Sequence, residues 1–141
     1  MQSSLYERLG GKDAIVAVID AFVGRAAGDG RINLKFARTD VPRLKAMLVD
    51  QVCDASGGPC TYGGRGMRET HTGMGVTAAE FDALVEDLVA TLDTFTVPKA
   101  EQGELLGLLA PMRADIVEIE TAATGTPLPS SYQAAPPLAH A

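Results

Sequence analysis

Basic residues are scarce in this chain. It has 12 lysines and arginines against 18 aspartates and glutamates, which gives a net charge of −6 and a pI near 4.8. Proteins that bind nucleic acids normally present a basic stripe, so we expect no nucleic-acid partner. Aromatic residues make up only 5% of the 141 residues, whereas 46% are apolar. That apolar fraction is typical of a globular chain and leaves a surplus that can line a cavity.

Long apolar runs and a cysteine framework are also missing. No run approaches the ~18–20 residues that span a bilayer, and no basic segment followed by an apolar one marks a secretory signal. Cys53 and Cys60 are too few for a disulfide framework. We expect a cytoplasmic protein, a monomer or weak homo-oligomer, in which both thiols stay free, although the loop between them could fold back and bridge them.

The hydrophobic pattern is helical throughout, with no strand candidate and no internal repeat, so the predicted fold class is all-α. The length suits one domain, which we place at residues 1–120. Residues 121–141 contain no charged residue, four prolines and six alanines. This composition predicts a disordered tail.

Capping and breaking residues divide the domain into helices. Ser4 with Glu7, and Thr77 with Glu80, have the spacing of capping boxes. Asp40, ahead of a proline, predicts a third helix start. Pro111 should bend or break the last helix, which we extend to Glu120. Three helices have faces that are expected to be buried. These faces carry Ile15, Val16, Ile19, Phe22, Val23 and Ala26 in the first long helix, Phe81, Leu84, Val85, Leu88, Leu92 and Phe95 in the helix that Thr77 opens, and Leu105, Leu106, Leu109, Met112, Ile116 and Ile119 in the last helix.

Seven of the fifteen glycines lie between residues 57 and 75, in a predicted loop with one short helix at 66–72. That helix carries His71, the one imidazole within the fold, since His140 lies in the tail. A lone histidine is most often exposed or satisfied in the core. A short helix that holds one histidine against apolar walls can also offer an axial nitrogen to a haem iron.

The wider sequence resembles the truncated haemoglobins, in particular their first group. The resemblance covers about residues 5–118. Its motifs are the run Tyr6-Glu7-Arg8-Leu9-Gly10-Gly11, Phe36, Gly57-Gly58-Pro59, Tyr62, Gly63, Met67-Arg68, His71-x-Gly73, Thr77, Phe81, Val97-Pro98 and Leu109-Ala110-Pro111. The family implies a compact two-over-two helical sandwich around a haem.

The resemblance implies a role for individual residues. His71 matches the proximal iron ligand, and Phe36 matches the phenylalanine that wedges against the porphyrin. Residues that match the haem lining are Met67, Phe81, Leu84, Leu88, Leu105 and Leu109, of which Leu88 and Leu105 could equally be plain core. Residues that match contacts of the haem propionates are Thr39, Arg43 and Tyr62, where hydroxyl and guanidinium donors suit a carboxylate. Arg43 could also be an ordinary exposed charge.

The distal side departs from the family. Val23 stands where relatives usually have a tyrosine, Leu48 where they commonly have a glutamine, and Leu44 where many globins hold a polar group. The side chains expected to face the ligand are Phe22, Val23, Leu44, Leu48 and Val52. Gln51 would enter this pocket after a modest helix rotation, or else is a surface residue. Met47 could reach the iron, but a methionine there is more often packing.

These matches predict a globin that reversibly binds O₂, CO or NO at a five-coordinate or water-bound iron in an apolar pocket. Because the Cys-x-x-Cys-His signature is absent, the haem should be the non-covalent b type. NO dioxygenation or peroxide turnover with a separate reductase is the enzymatic alternative. A haem-free helical interaction module is a second alternative. A zinc site of Cys53, Cys60, His71 and a carboxylate is a further hypothesis, although its spacing matches no standard zinc pattern.

Overall fold

The computed structural model describes residues 4–36, 40–62 and 74–127. Over these residues the chain is helical, and its extended pairing is one isolated parallel bridge between Thr77 and Ile119. The all-α class is therefore confirmed. The helices are α1 (Leu5–Leu9), α2 (Gly11–Ala27), α3 (Val41–Ala55), α4 (Ala78–Thr94), α5 (Lys99–Leu109) and α6 (Arg113–Ile116), with 3-10 turns at Asn33–Phe36 and Ala110–Met112.

Side-chain caps begin the helices where the sequence predicts them. The Ser4 hydroxyl accepts the Glu7 amide proton at 3.2 Å, and the Glu80 amide donates to the Thr77 hydroxyl at 3.0 Å. Asp40 caps α3 by accepting from the amide of Arg43. Each cap satisfies an amide that the first helical turn leaves without a partner, which is why the signal is readable from a few residues. Gly10, at φ 108°, ends α1 in the left-handed conformation that glycine adopts without strain.

The core lies where α2 packs against both α3 and α4, while α1 packs against α2 and α5. The buried side chains that form its main cluster are Leu5, Ile15, Ile19, Phe22, Val23, Val49, Val52, Cys53, Leu88, Leu92 and Leu105. Apolar faces at helical spacing thus meet as the pattern predicts. Among the described residues, no helix is both long enough and apolar enough to cross a membrane.

The last helix ends earlier than predicted. At Pro111 the chain tightens into the Ala110–Met112 turn, and α6 stops at Ile116, not at Glu120. Residues after it are extended, and the amides of Glu118 and Ile119 donate to the Val76 carbonyl. Ile119 is consequently 45% exposed. Val16, at the edge of its helix face, is 46% exposed, and Phe95, at the end of α4, is 41% exposed. The predicted burial of these three residues was therefore wrong.

The structure also corrects the expected boundary at residue 120. Residues 121–127 are hydrogen-bonded to the helical body, for instance from the Gly125 amide to the Arg31 carbonyl and from the Thr126 amide to Glu80. Composition misled the prediction here because the partners are backbone carbonyls and one carboxylate that lie far away in the sequence. The remainder of the predicted tail, residues 128–141, lies outside the described residues.

The prediction of free thiols was wrong as well, because Cys53 and Cys60 form a disulfide with Cα atoms 5.6 Å apart. The chain reverses directly after α3, where the Gly58 amide donates to the Cys53 carbonyl at 2.8 Å. A Cβ at Gly58 would lie 2.4 Å from the Tyr6 ring, so only glycine permits this approach. Bridged sulfurs cannot act as thiolate ligands, which removes the zinc hypothesis. The described residues contain no cluster of three metal-binding side chains.

Candidate functional site

Two adjoining apolar cavities lie between the long helices. The smaller, of about 140 Å³, is lined mainly by α2, the Asn33–Phe36 turn, α3 and α4. The larger, of about 160 Å³, continues between α2, α3, α4 and α5. The residues that line both are Phe22, Leu48, Phe81, Leu84 and Ile116. The apolar surplus of the composition is thus gathered around these two neighbouring cavities, which we together call the hollow.

Most of the described candidates for haem contact line these cavities. In the smaller cavity they are Phe22, Val23, Phe36, Leu44, Leu48, Phe81 and Leu84. In the larger cavity they are Phe22, Leu48, Gln51, Phe81, Leu84, Leu88, Leu105 and Leu109, together with Val52. The structure brings these residues together because α2, α3, α4 and α5 each turn one apolar face inward.

Three described candidates lie outside the lining of both cavities. Met47 and Arg43 are half-buried on α3, and Arg43 contributes its backbone amide to the Asp40 cap. Tyr62 is held by its backbone amide, which donates to Asp54 Oδ2 at 3.0 Å, and burial raises the pKa of its hydroxyl. Thr39, Met67 and His71, and the predicted helix at 66–72, lie outside the described residues.

The wall predicted to face the ligand is apolar. Val23 is buried, with 6% of its surface exposed, and Leu44 and Leu48 are half-buried beside the smaller cavity. None of these side chains can donate a hydrogen bond. Gln51 lines the larger cavity instead, where its amide Nε2 lies 3.3 Å from the thioether sulfur of Met112. Gln51 thus shares the larger cavity with Leu48 and Val52, two of the residues expected to face the ligand.

Two charged residues in the smaller cavity were missed by the sequence reasoning. Lys35 and Glu80 line it and are 4% and 2% exposed, with Lys35 Nζ 3.8 Å from Glu80 Oε1. Lys35 also donates to the carbonyls of Met74 and Pro127, at 2.9 and 3.0 Å. Glu80 was identified only as a capping residue, and no local pattern shows that the capping carboxylate also meets a buried lysine.

Comparison with known proteins bears on what these cavities hold. Residues 4–118 match the family of bacterial-like globins. The chain belongs to that family. It is 33% identical over 114 residues to a group 1 truncated haemoglobin of Mycolicibacterium paratuberculosis, a match that covers 81% of this chain and 84% of the relative. Identity is 40% over 101 residues to a group 1 truncated haemoglobin of Synechocystis, covering 69% and 82% of the two chains.

A solved structure shows the same architecture. The two-over-two haemoglobin of a Synechococcus species, determined in the cyanomet state with covalently attached haem, superposes with a TM-score of 0.78 at 33% identity. The match covers 82% of this chain and 98% of that one. The predicted resemblance and the two-over-two fold are both confirmed. Membership of a globin family implies a protein that binds haem and, through it, a gas ligand.

Proposed function

We propose that this truncated globin holds a non-covalent b-type haem in the paired cavities, with His71 as the proximal ligand, and reversibly binds a diatomic gas. The observation that carries the proposal is the apolar hollow formed by the two adjoining cavities between α2, α3, α4 and α5, in a chain of this family. Haem, when bound there, would supply an iron that can bind O₂, CO or NO.

The residues around the hollow suit a flat apolar macrocycle. Phe22, Phe81 and Leu84 border both cavities and offer wide apolar surfaces, and Phe36 stands at the edge of the smaller one. The buried charges there, on Lys35 and Glu80, are already paired, so an apolar ring would meet little unpaired polarity. The cysteines support a non-covalent group, because the disulfide leaves neither thiol available for a thioether bond to haem.

The apolar distal wall sets the expected ligand preference. A polarised O₂ ligand is stabilised by a hydrogen-bond donor, by roughly 1.5–3 kcal/mol when the bond is charge-assisted. Val23, Leu44 and Leu48 offer no donor, and Gln51 lies beside Met112. Compared with relatives that have polar pockets, this chain should therefore release O₂ faster and favour CO or NO.

The proposal also includes side chains that would contact the haem propionates at the edge of the pocket. Thr39, Arg43 and Tyr62 are the proposed partners of the haem propionates, since a carboxylate prefers guanidinium and hydroxyl donors. Arg43 lies in the first turn of α3 and is half-buried. Replacing Arg43 with Gln should speed haem loss without changing the absorption spectrum of the bound haem.

The proximal ligand is tested directly by His71→Gly. The purified variant should retain little haem, and added imidazole should restore the Soret band by supplying the missing nitrogen. His140→Gly is the matched control, because this second histidine is assigned no role. Undiminished haem content in His71→Gly would show that another residue holds the iron.

The proposal also covers the cellular location of the protein, its oligomeric state and its reductase partner. We place the protein in the cytoplasm, as a monomer or weak homo-oligomer, with a separate reductase that keeps the iron ferrous. Disulfides persist mainly in oxidising compartments, so the Cys53–Cys60 bridge makes location worth measuring. Cell fractionation combined with thiol labelling tests it: cytoplasmic protein supports the assignment, and protein found only outside the cytoplasm overturns it.

A further inference from the structure

Residues 121–127, which we call the strap, lie beyond the part of the chain that matches the globin family and nevertheless pack on the smaller cavity's wall. The strap begins beside the start of α4, where the Ala79 amide donates to the Thr121 carbonyl at 3.2 Å. The Thr77 hydroxyl then donates to the Ala123 carbonyl at 2.5 Å. The Gly125 amide reaches the Arg31 carbonyl at 2.6 Å, so the strap crosses from α4 to the segment after α2.

The end of the strap is clasped by the two buried charges of the cavity. Glu80 Oε2 accepts from the amide and the hydroxyl of Thr126, at 2.8 and 2.7 Å. Lys35 Nζ donates to the Pro127 carbonyl at 3.0 Å. Without the strap, Glu80 would lose two donors and Lys35 one acceptor. Glu80 would keep the Thr77 amide and Lys35 the Met74 carbonyl, but the atoms freed by the strap would have to be hydrated, which favours a looser wall.

Each clasping residue directly precedes an aromatic residue that lines the cavity. Lys35 is followed by Phe36, and Glu80 is followed by Phe81. Because Lys35 and Phe36 share one 3-10 turn, and Glu80 and Phe81 share the first turn of α4, fixing the charges also fixes the backbone that carries both rings. The strap thus ties together two walls of the hollow that are more than forty residues apart in sequence.

We propose that the strap is a haem-retention device: it holds the Phe36 and Phe81 walls of the cavity closed and thereby slows release of the haem. This inference rests on the proposed function. It assigns to residues 121–127 a role that the family-matched domain does not supply. Lys35, Glu80 and Thr126 are positioning residues, which act on the haem through the two phenylalanines.

Two truncations separate the strap from the rest of the C-terminal region. One ends after Glu120 and lacks the strap, and the other ends after Pro127 and keeps it. Transfer of haem to an excess of apomyoglobin gives the release rate. The chain ending at Glu120 should lose haem about tenfold faster or more, on the scale of one hydrogen bond to a charged group. The chain ending at Pro127 should match the full chain. Equal release rates from all three would overturn the proposal.

A point variant tests the proposal even if the truncated chain does not fold. Thr126→Val keeps the side-chain size but removes the hydroxyl that donates to Glu80. Thr124→Val, at an exposed position of the same strap, is the control. Haem loss should quicken several-fold in the first variant and stay unchanged in the second. Similar rates for the two variants would contradict the clasp.

Hydrogen–deuterium exchange of the haem-free chain gives a readout independent of haem. Loss of the strap should raise exchange in segments 31–36 and 76–81, and unchanged exchange there would overturn the proposal. If the full chain takes up no haem, the proposed function fails, and exchange alone then tests whether the strap closes the wall. Raised exchange with unaltered haem release would contradict retention while leaving the proposed function intact.

Discussion

Single side chains decide the chemistry of the smaller cavity. Val23, at the position that the family resemblance matches to a tyrosine, is buried against it. Val23→Tyr should place a donor beside the ligand and slow O₂ dissociation ten- to a hundred-fold, at about 1.4 kcal/mol per decade. Stopped-flow measurement of O₂ release tests this. Val16→Tyr, on the exposed edge of the same helix, should leave the rate unchanged, and an unaltered rate in Val23→Tyr would show that residue 23 does not face the ligand.

The carboxyl groups of Asp29 and Asp87 form a second pair of side chains with a testable effect. Asp87 is buried, no residue that the structure describes is hydrogen-bonded to its Oδ2 atom, and burial together with the neighbouring Asp29 raises its pKa to about 6. Arg31, hydrogen-bonded to Asp29, lowers the pKa of that group. A raised pKa means that the folded state prefers protonated Asp87, so this stabilisation is present in acid and is lost as the pH rises through about 6.

Asp87→Asn tests this pH dependence because it mimics the protonated form at every pH. Relative to the wild type, the variant should gain about 1–2 kcal/mol of unfolding free energy between pH 5 and pH 8. The lowered pKa of Asp29 acts only in stronger acid and does not affect this window. Urea unfolding at the two pH values measures it, with Asp82→Asn, an exposed carboxylate of α4, as the control. A gain that is the same at both pH values would refute the assignment.

At the scale of elements, the disulfide ties the end of α3 to the loop that follows. It closes a loop with a sequence separation of 7, and Cys53 is completely buried. Restricting the unfolded chain in this way should contribute about 2–3 kcal/mol. Dithiothreitol should therefore lower the urea midpoint, and Cys60→Ser should lower it equally and make the protein insensitive to the reductant. A wild-type urea midpoint that is the same with and without dithiothreitol would show that the disulfide adds no stability.

Element starts could be predicted from the sequence, but some ends and partners could not. The Ser4–Glu7 and Thr77–Glu80 caps depend on residues three apart, so a short window contains the whole signal. The end of α6 depends on extended pairing of Ile119 with the segment around Val76, which is forty-odd residues away. The Cys53–Cys60 bridge similarly depends on how closely Gly58 can approach Tyr6. Such non-local contacts leave no periodic trace in the sequence.

For the molecule as a whole, the pattern of apolar faces and the family resemblance together located the hollow. Val23, Leu44 and Leu84 were named from the sequence, and the structure places all three around one cavity. The clasp of Lys35 and Glu80 on residues 121–127 was missed, because an uncharged segment rich in proline and alanine indicates disorder when read alone. Buried charges found their partners across the whole chain, not within one element.

The central claim, that this globin binds haem in that hollow, is tested most directly by titrating the haem-free protein with hemin and recording the visible spectrum. We expect a sharp Soret band that grows until one hemin is bound per chain, and a further shift when the reduced protein is exposed to CO. A spectrum that stays that of free hemin throughout the titration would contradict the account.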